Sequence, residues 1–302
     1  MRSKSIKTFF ALGIIGLLSS CTNEEYNVQK VEPGTLSFEI SIVNSLKTKS
    51  GLYSQEAKHT VEDVKIYAFK KSGSDYLFAD SIEIPGWTRG LSTKHHQVPV
   101  GDYLSAGEFT FIGIGRNATD RFGLTVLDQG VTTYDTFAAS VEASGLESEI
   151  FAGSSAIAIS SIGVRIPIVM TRQVAGILGY FVNVPAVING RDVESLRLSV
   201  TNSNLTVNLT NGEGTLPSGA VFNIINTDLS NQTVNSEGIY TGNIIQDVIK
   251  LDNSQLNGSF LIPVNNVQMT LGLYASNGDA LKTWPVSISS QQFDILPNNF
   301  IR

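Results

Sequence analysis

Apolar and polar residues alternate with a period of two along much of this chain, as in strands with one buried face. Leu36, Phe38, Ile40 and Ile42 alternate with Ser37, Glu39 and Ser41, which predicts a half-buried antiparallel first strand. A polar loop from Ser45 to Thr60 follows, carrying Lys47, Lys49 and Lys58. From Val61 to Lys70 both faces are apolar, with Val64, Ile66 and Ala68 on one and Tyr67 and Phe69 on the other. Ser72-Gly73-Ser74 then turns the chain into a strand from Tyr76 to Ile84, which reads as a hairpin. Pro85-Gly86 ends it and opens a loop holding Trp87, His95 and His96. In the next strand, from Glu108 to Gly115, Phe109 and Phe111 face one way and Thr110, Ile112 and Ile114 the other. The stretch from Asp135 to Ser144 reads as a short helix, and that from Glu147 to Ala152 as a short strand. Val164, Ile166, Ile168 and Met170 alternate again, and Pro167, lacking an amide hydrogen, places that strand at an edge or a bulge.

Thr171-Arg172-Gln173 interrupts the pattern, and Val174 to Val184 resumes as a strand apolar on both faces. Leu196, Leu198 and Val200 alternate with polar neighbours, as do Leu205, Val207 and Leu209. Weak strands are expected near Val221 and Tyr240 and clearer ones from Phe260 to Pro263, Val267 to Ala275 and Leu281 to Ile288. Asn277-Gly278 between the last two signals a tight hairpin. The strand spacing predicts an all-β fold of two tandem antiparallel β-sandwich domains of transthyretin- or Ig-like type, residues 35–171 and 172–302.

The N-terminus follows a different pattern. Arg2, Lys4 and Lys7 precede an apolar run from Phe9 to Leu18, too short to span a bilayer, and Leu18-Ser19-Ser20-Cys21 closes it. Residues 1–20 therefore read as a lipoprotein signal peptide, cut between Ser20 and Cys21, with acyl chains on Cys21 and a lipidated tether over 21–34. An ordinary secretory signal with a chance cysteine is the alternative. Cys21 is the only cysteine, so it has no disulfide partner in the chain. Two or three chains on one cysteine hold far better than one, since each buried methylene contributes about 0.8 kcal/mol.

Loss of the signal removes three positive charges and takes the formal net charge from -6 to -9. With no stripe of Lys and Arg to neutralise phosphates, the sequence argues against nucleic-acid binding. Candidate chemistry is sparse. His59, His95 and His96 are the three histidines, and none stands in a zinc-ligand spacing; His95-His96 reads as an exposed loop pair. Gly113-Ile114-Gly115 lies within a strand and makes no phosphate loop, and Gly153-Ser154-Ser155 is no nucleophile elbow. The pairs Glu24/Glu25 and Glu147/Glu149 carry no recognisable glycosidase spacing. No catalytic residue, metal ligand or cofactor is expected, and the chain does not read as an enzyme. Asp80-Ser81-Ile82 resembles an O-glycosylation sequon, which makes Ser81 a candidate modified residue with a chance match as the alternative, and Trp87 and Tyr103 are aromatic residues of the kind that line glycan sites but more commonly pack in cores or loops.

Taken together, the lipobox, Val98-Pro99-Val100-Gly101-Asp102-Tyr103 before an aromatic strand, Arg172-Gln173-Val174-Ala175, and a closing Leu296-Pro297-Asn298-Asn299-Phe300 resemble the fimbrillin-like fimbrial subunits of Bacteroidetes, above all their lipidated minor anchor. The resemblance implies an outer-membrane, surface-exposed lipoprotein whose partners are other subunits of the same pilus, joined by β-strand exchange. It also implies that polymerising subunits lose their first strand to a protease cutting at an arginine in the loop that follows. Here that loop holds three lysines and no arginine, so the first strand is expected to stay and keep Cys21 attached. Relatives continue into a further strand after Asn-Asn-Phe, where this sequence has only Ile301 and Arg302, so a tip subunit that only accepts a strand is an alternative. A surface glycan-binding lipoprotein is another.

Overall fold

The alternating first strand becomes β1 (Thr35–Ile42), and its apolar residues Leu36, Phe38, Ile40 and Ile42 are all buried. The structure is a computed structural model that describes residues 35–43, 47–48, 59–99, 104–118, 122–140, 149–160, 163–177, 179–181, 183–215, 221–241, 245–246, 250–252, 255–257, 260–286 and 293–301. After β1 come β2 (Lys47–Thr48), β3 (Asp63–Ser72), β4 (Asp75–Glu83), β5 (Thr93–Pro99), β6 (Gly107–Arg116), β7 (Gly123–Leu124) and β8 (Ala138–Ser140). The first half ends with β9 (Ile150–Ile159) and β10 (Val164–Arg172), and β11 (Ala175–Ile177) opens the second.

Strand order along the first sheet is β4-β3-β6-β9-β10-β1-β5. It folds over at the β9–β10 step, where only Thr171 and Arg172 pair with β9, and so makes a sandwich of four strands against three. Leu36, Phe38 and Ile40 of β1 face Val64, Ile66 and Ala68 of β3 and Phe109 and Phe111 of β6 in one core. Phe38 meets Phe111 edge to face at 5.3 Å. At the fold-over the backbones nearly touch: a Cβ on Gly153 would lie 2.0 Å from the Val169 carbonyl oxygen. Pro167 falls where β10 has β1 on one side and no partner on the other among the described residues, which matches its missing amide hydrogen.

The outer face of β3 and β6 builds a second core. Tyr67, Phe69, Ile112 and Ile114 pack with Phe122, Phe137 and Ala139, and with Val174, Val207, Leu209, Phe260 and Ile262 from the second half. A small sheet covers it, ordered Gly214–Thr215, Thr206–Asn208, β8, β7, so strands from both halves share one ladder. In the largest sheet of the second half, Val221–Asp228, Ser195–Thr201, Val264–Tyr274 and Ala280–Val286 lie side by side, with Phe293–Ile295 also on Val264–Tyr274. Its apolar face forms a third core with Ala175, Ile177 and Leu261.

Several expectations need correction. The stretch read as a helix from Asp135 is one 3-10 turn, Tyr134–Thr136, followed by β8; residues 141–148 lie outside the described residues. Pairing of Ala138–Ser140 with Thr206–Asn208 supplies ladder bonds that a short isolated helix could not match. His95 and His96 lie in β5, opposite Glu39 and Phe38 of β1, and not in a loop. The first sandwich is not purely antiparallel, because β1 runs parallel to β10. The region near Val221 is a full eight-residue strand. Trp87 is buried in the first core, the packing role the sequence favours over a glycan site.

Candidate functional site at the meeting of the two halves

Two motifs far apart in sequence meet in space: Arg172-Gln173-Val174-Ala175 and Leu296-Pro297-Asn298-Asn299-Phe300. Arg172 is the last residue of β10, and its side chain is fully buried. Its Nε and Nη2 lie 2.8 Å and 2.7 Å from Oε1 of Glu149, the buried residue just before β9. The guanidinium also stacks on Phe151 at 4.7 Å. Glu149 Oε2 accepts from the Thr60 amide at 2.8 Å and from the Thr60 hydroxyl at 2.9 Å. A buried charge pair survives only with its remaining hydrogen-bonding capacity met, and Thr60 does this for the carboxylate.

Asn298 completes the set. Its Oδ1 accepts from Arg172 Nη1 at 2.6 Å, and its amide donates to Val174 O at 3.0 Å. Asn298 sits at φ 58°, a left-handed conformation that asparagine tolerates better than most side chains. Beyond it, strand Asn299–Ile301 runs parallel to both β2 and β11, between them. Gln173 donates its side-chain amide to the Thr171 carbonyl at 2.9 Å, fixing the break between β10 and β11.

His59 closes the near side. Its Nε2 donates to Leu91 O at 3.0 Å, and its Nδ1 accepts from the Val61 amide at 3.2 Å. Burial, above all, pushes its pKa below the ordinary value of 6.5; the hydrogen bond to Leu91 and the Glu149 charge oppose this, and the Arg172 charge adds a smaller downward push. The sequence around His59 shows no metal-ligand spacing and gives no sign of this role. Among the described residues no three His, Cys, Asp or Glu side chains gather in a metal-binding group.

The other candidates fall elsewhere. Ser20, Cys21 and Tyr103 lie outside the described residues. Ser81 is half-buried in β4, its amide bonded to Asp80 Oδ1 at 2.7 Å, beside a cleft of 560 Å³ lined by Lys65, Glu83 and His96. A second cleft, of 590 Å³, lies in the second half against Trp284, which is 37% exposed, and is lined also by Phe181, Asn183 and Asn189. No residue pattern singled out Trp284, because its neighbours come from a loop a hundred residues earlier.

No curated protein matches the chain. Solved structures that it resembles include a candidate adhesin from Bacteroides ovatus, with 14% identity, 83% of this chain and 75% of that one covered, and a TM-score of 0.50. Another is the fimbrial anchor protein Mfa2 from Porphyromonas gingivalis, with 13% identity, 83% and 82% covered, and a TM-score of 0.45. At such identities the first likeness speaks for the β-sandwich fold alone. The family model of fimbrillin-A associated anchor proteins Mfa1 and Mfa2 matches residues 32–279, a span that includes both Glu149 and Arg172 and runs through both halves. With most of its length matched by that model, the chain belongs to the family of fimbrillin-A associated anchor proteins.

Proposed function

We propose that this protein is a structural, non-enzymatic fimbrial subunit that serves as the outer-membrane anchor of its pilus. The family supports a fimbrial role and a place at the cell surface. The anchor assignment is carried by one observation: the loop of residues 45–60 holds three lysines and no arginine, so a protease that cuts at arginine leaves β1 in place. β1 sits between β10 and β5 with Leu36, Phe38 and Ile40 fully buried, so the chain leading from Cys21 is tied into the first core. An acylated Cys21, after cleavage at Ser20, would hold that sandwich on the membrane through 21–34. Neighbouring subunits join by β-strand exchange, which uses backbone hydrogen bonds with pockets for alternate side chains. We further propose that the two sandwiches divide at 171/172, and that Ser81 carries an O-linked glycan.

Mass spectrometry of the N-terminus of protein from washed cells tests the anchor. The expected species begins with acylated Cys21 and is intact through residues 45–60. A chain starting within 45–60 would make this a polymerising or tip subunit instead, and an unacylated start would remove the membrane attachment. Loss of the gene is expected to release pili into the medium; a normal attached pilus population would refute the role. The same spectra report a glycan mass on the peptide containing Ser81. A glycan-binding reading is favoured only by the cleft at Trp284, and undiminished glycan affinity in Trp284→Ala would dismiss it.

A further inference from the structure

Strand Asn299–Ile301 is short, and each of its ladders is shorter still. On one side Asn299 and Phe300 pair with Lys47 and Thr48, and on the other Phe300 and Ile301 pair with Gly176 and Ile177. That ladder is the whole pairing of β2 among the described residues. Leu296, which leads into the strand, is 48% exposed. Of the fastenings on the segment between β1 and β3, two converge on one side chain: residues 47–48 are held by the C-terminal strand and Thr60 by Glu149, while His59 is held separately by Leu91 and Gly90. Both fastenings lead back to the Arg172 guanidinium, one through Asn298 and one through Glu149.

These two fastenings differ in what their loss would cost. Withdrawal of Glu149 would strip a buried guanidinium of its counter-charge, which is strongly destabilising. Withdrawal of Asn298 leaves Arg172 still held by Glu149 and stacked on Phe151, so no bare charge remains. The C-terminal fastening is thus the one that can open without unfolding its surroundings. Local openings of this kind set which backbone segments a protease or exchanging solvent reaches first.

We propose that residues 296–301 form a releasable strap, locked by Asn298 on Arg172, that holds β2 in place. When the strap leaves, β2 is freed while the Thr60–Glu149–Arg172 cluster stays closed. Retention of the segment after the first strand is then coupled to a motif at the opposite end of the chain. The proposal does not depend on the fimbrial reading.

Trypsin, used as a probe on the mature protein, tests it. The cut after Lys47 is followed by mass spectrometry, with the cuts after Lys65, Lys70 and Lys71 of β3 as the record of global unfolding. Asn298→Gly keeps the left-handed backbone free of strain and removes the Oδ1 acceptor for Arg172. Cleavage after Lys47 is expected to rise several-fold in Asn298→Gly and roughly tenfold or more on deletion of 296–302, with the β3 sites unchanged, because cleavage tracks the open population. Hydrogen exchange on intact Asn298→Gly supplies a second readout, in which the amides of β2 and β11 lose protection together. An unchanged Lys47 rate in both variants overturns the proposal. So does a rise shared equally by all four lysines, which would mean unfolding rather than strap release.

Discussion

His59 is the side chain in the junction whose charge changes near neutral pH, and its surroundings decide which way that change acts. Protonation puts a proton on Nδ1, which the Val61 amide needs as an acceptor, and sets a second positive charge near Arg172. The folded protein therefore holds His59 neutral, with a pKa below the ordinary 6.5, while the unfolded chain titrates normally. Below about pH 6.5 the unfolded state binds more protons, so stability falls as pH drops toward the folded pKa and is fully present above the unfolded one. His96, half-buried, is lowered too, first by burial and then by Lys94, and acts in the same direction. Urea unfolding at pH 7.5, 6.5 and 5.5 is expected to show this decline, and His59→Gln to flatten it; an unaltered slope would remove His59 from the account. Gly153 poses a purely steric constraint. Its absent Cβ leaves room for the Val169 carbonyl, and both are backbone, so neither can step aside. Gly153→Ala is expected to cost about 3 kcal/mol in denaturant unfolding, whereas a loss under about 0.5 kcal/mol, the usual range of surface changes, would mean that the sheets slide apart freely.

At the scale of the element, local alternation identifies strands but not their neighbours. The alternation of β1, the two-faced pattern of β3 and β6, and the Asn277-Gly278 turn were all legible, because each is fixed within a few residues. The parallel pairing of β1 with β10 was not, since 127 residues separate Ser37 from the Val164 carbonyl that its hydroxyl meets. Nor was β8, whose partner Thr206–Asn208 lies in the other half. The junction was legible as two motifs, yet nothing in their composition says that Asn298 reaches Arg172. Edge protection is another property that appears only in three dimensions. The free edge of β4 at Phe78 and Ala79 is covered by residues 129–132: Phe78 donates to Thr132 O, Gly130 donates to Phe78 O, and the Gln129 side chain donates to Ala79 O. An uncovered edge is a template for pairing with another chain. Replacing residues 128–132 with a flexible Gly-Ser linker should expose that edge, and light scattering should then show association that grows with concentration. A variant that stays monomeric at high concentration would mean that β4 protects itself by other means.

For the whole molecule, the question is whether two sandwiches unfold as two bodies or as one. Each has a core of its own, but the one between them belongs to neither. Phe137 is fully buried there, 4.9 Å from Tyr67 and 5.9 Å from Phe69 in the first half, in a cluster that also holds Val174, Val207 and Phe260 of the second. Removing the second half would leave Ile112, Ile114 and Phe137 without part of their cover, and removing the first would do the same to Val207 and Leu209. The strap adds a covalently distant tie, since it pairs with β2 of the first half and β11 of the second. Shared burial of this kind makes the stability of each half depend on the other, so residues 35–301 are expected to melt in one calorimetric transition. Phe137→Ala is the decisive variant. Loss of a fully buried phenylalanine costs roughly 3–5 kcal/mol, which in a protein of this size lowers Tm by on the order of 10 °C. If the core couples the halves, the single transition shifts whole and stays single. If the halves are independent, the wild type shows two transitions, and the middle core would have to be counted as an interface between two self-sufficient sandwiches.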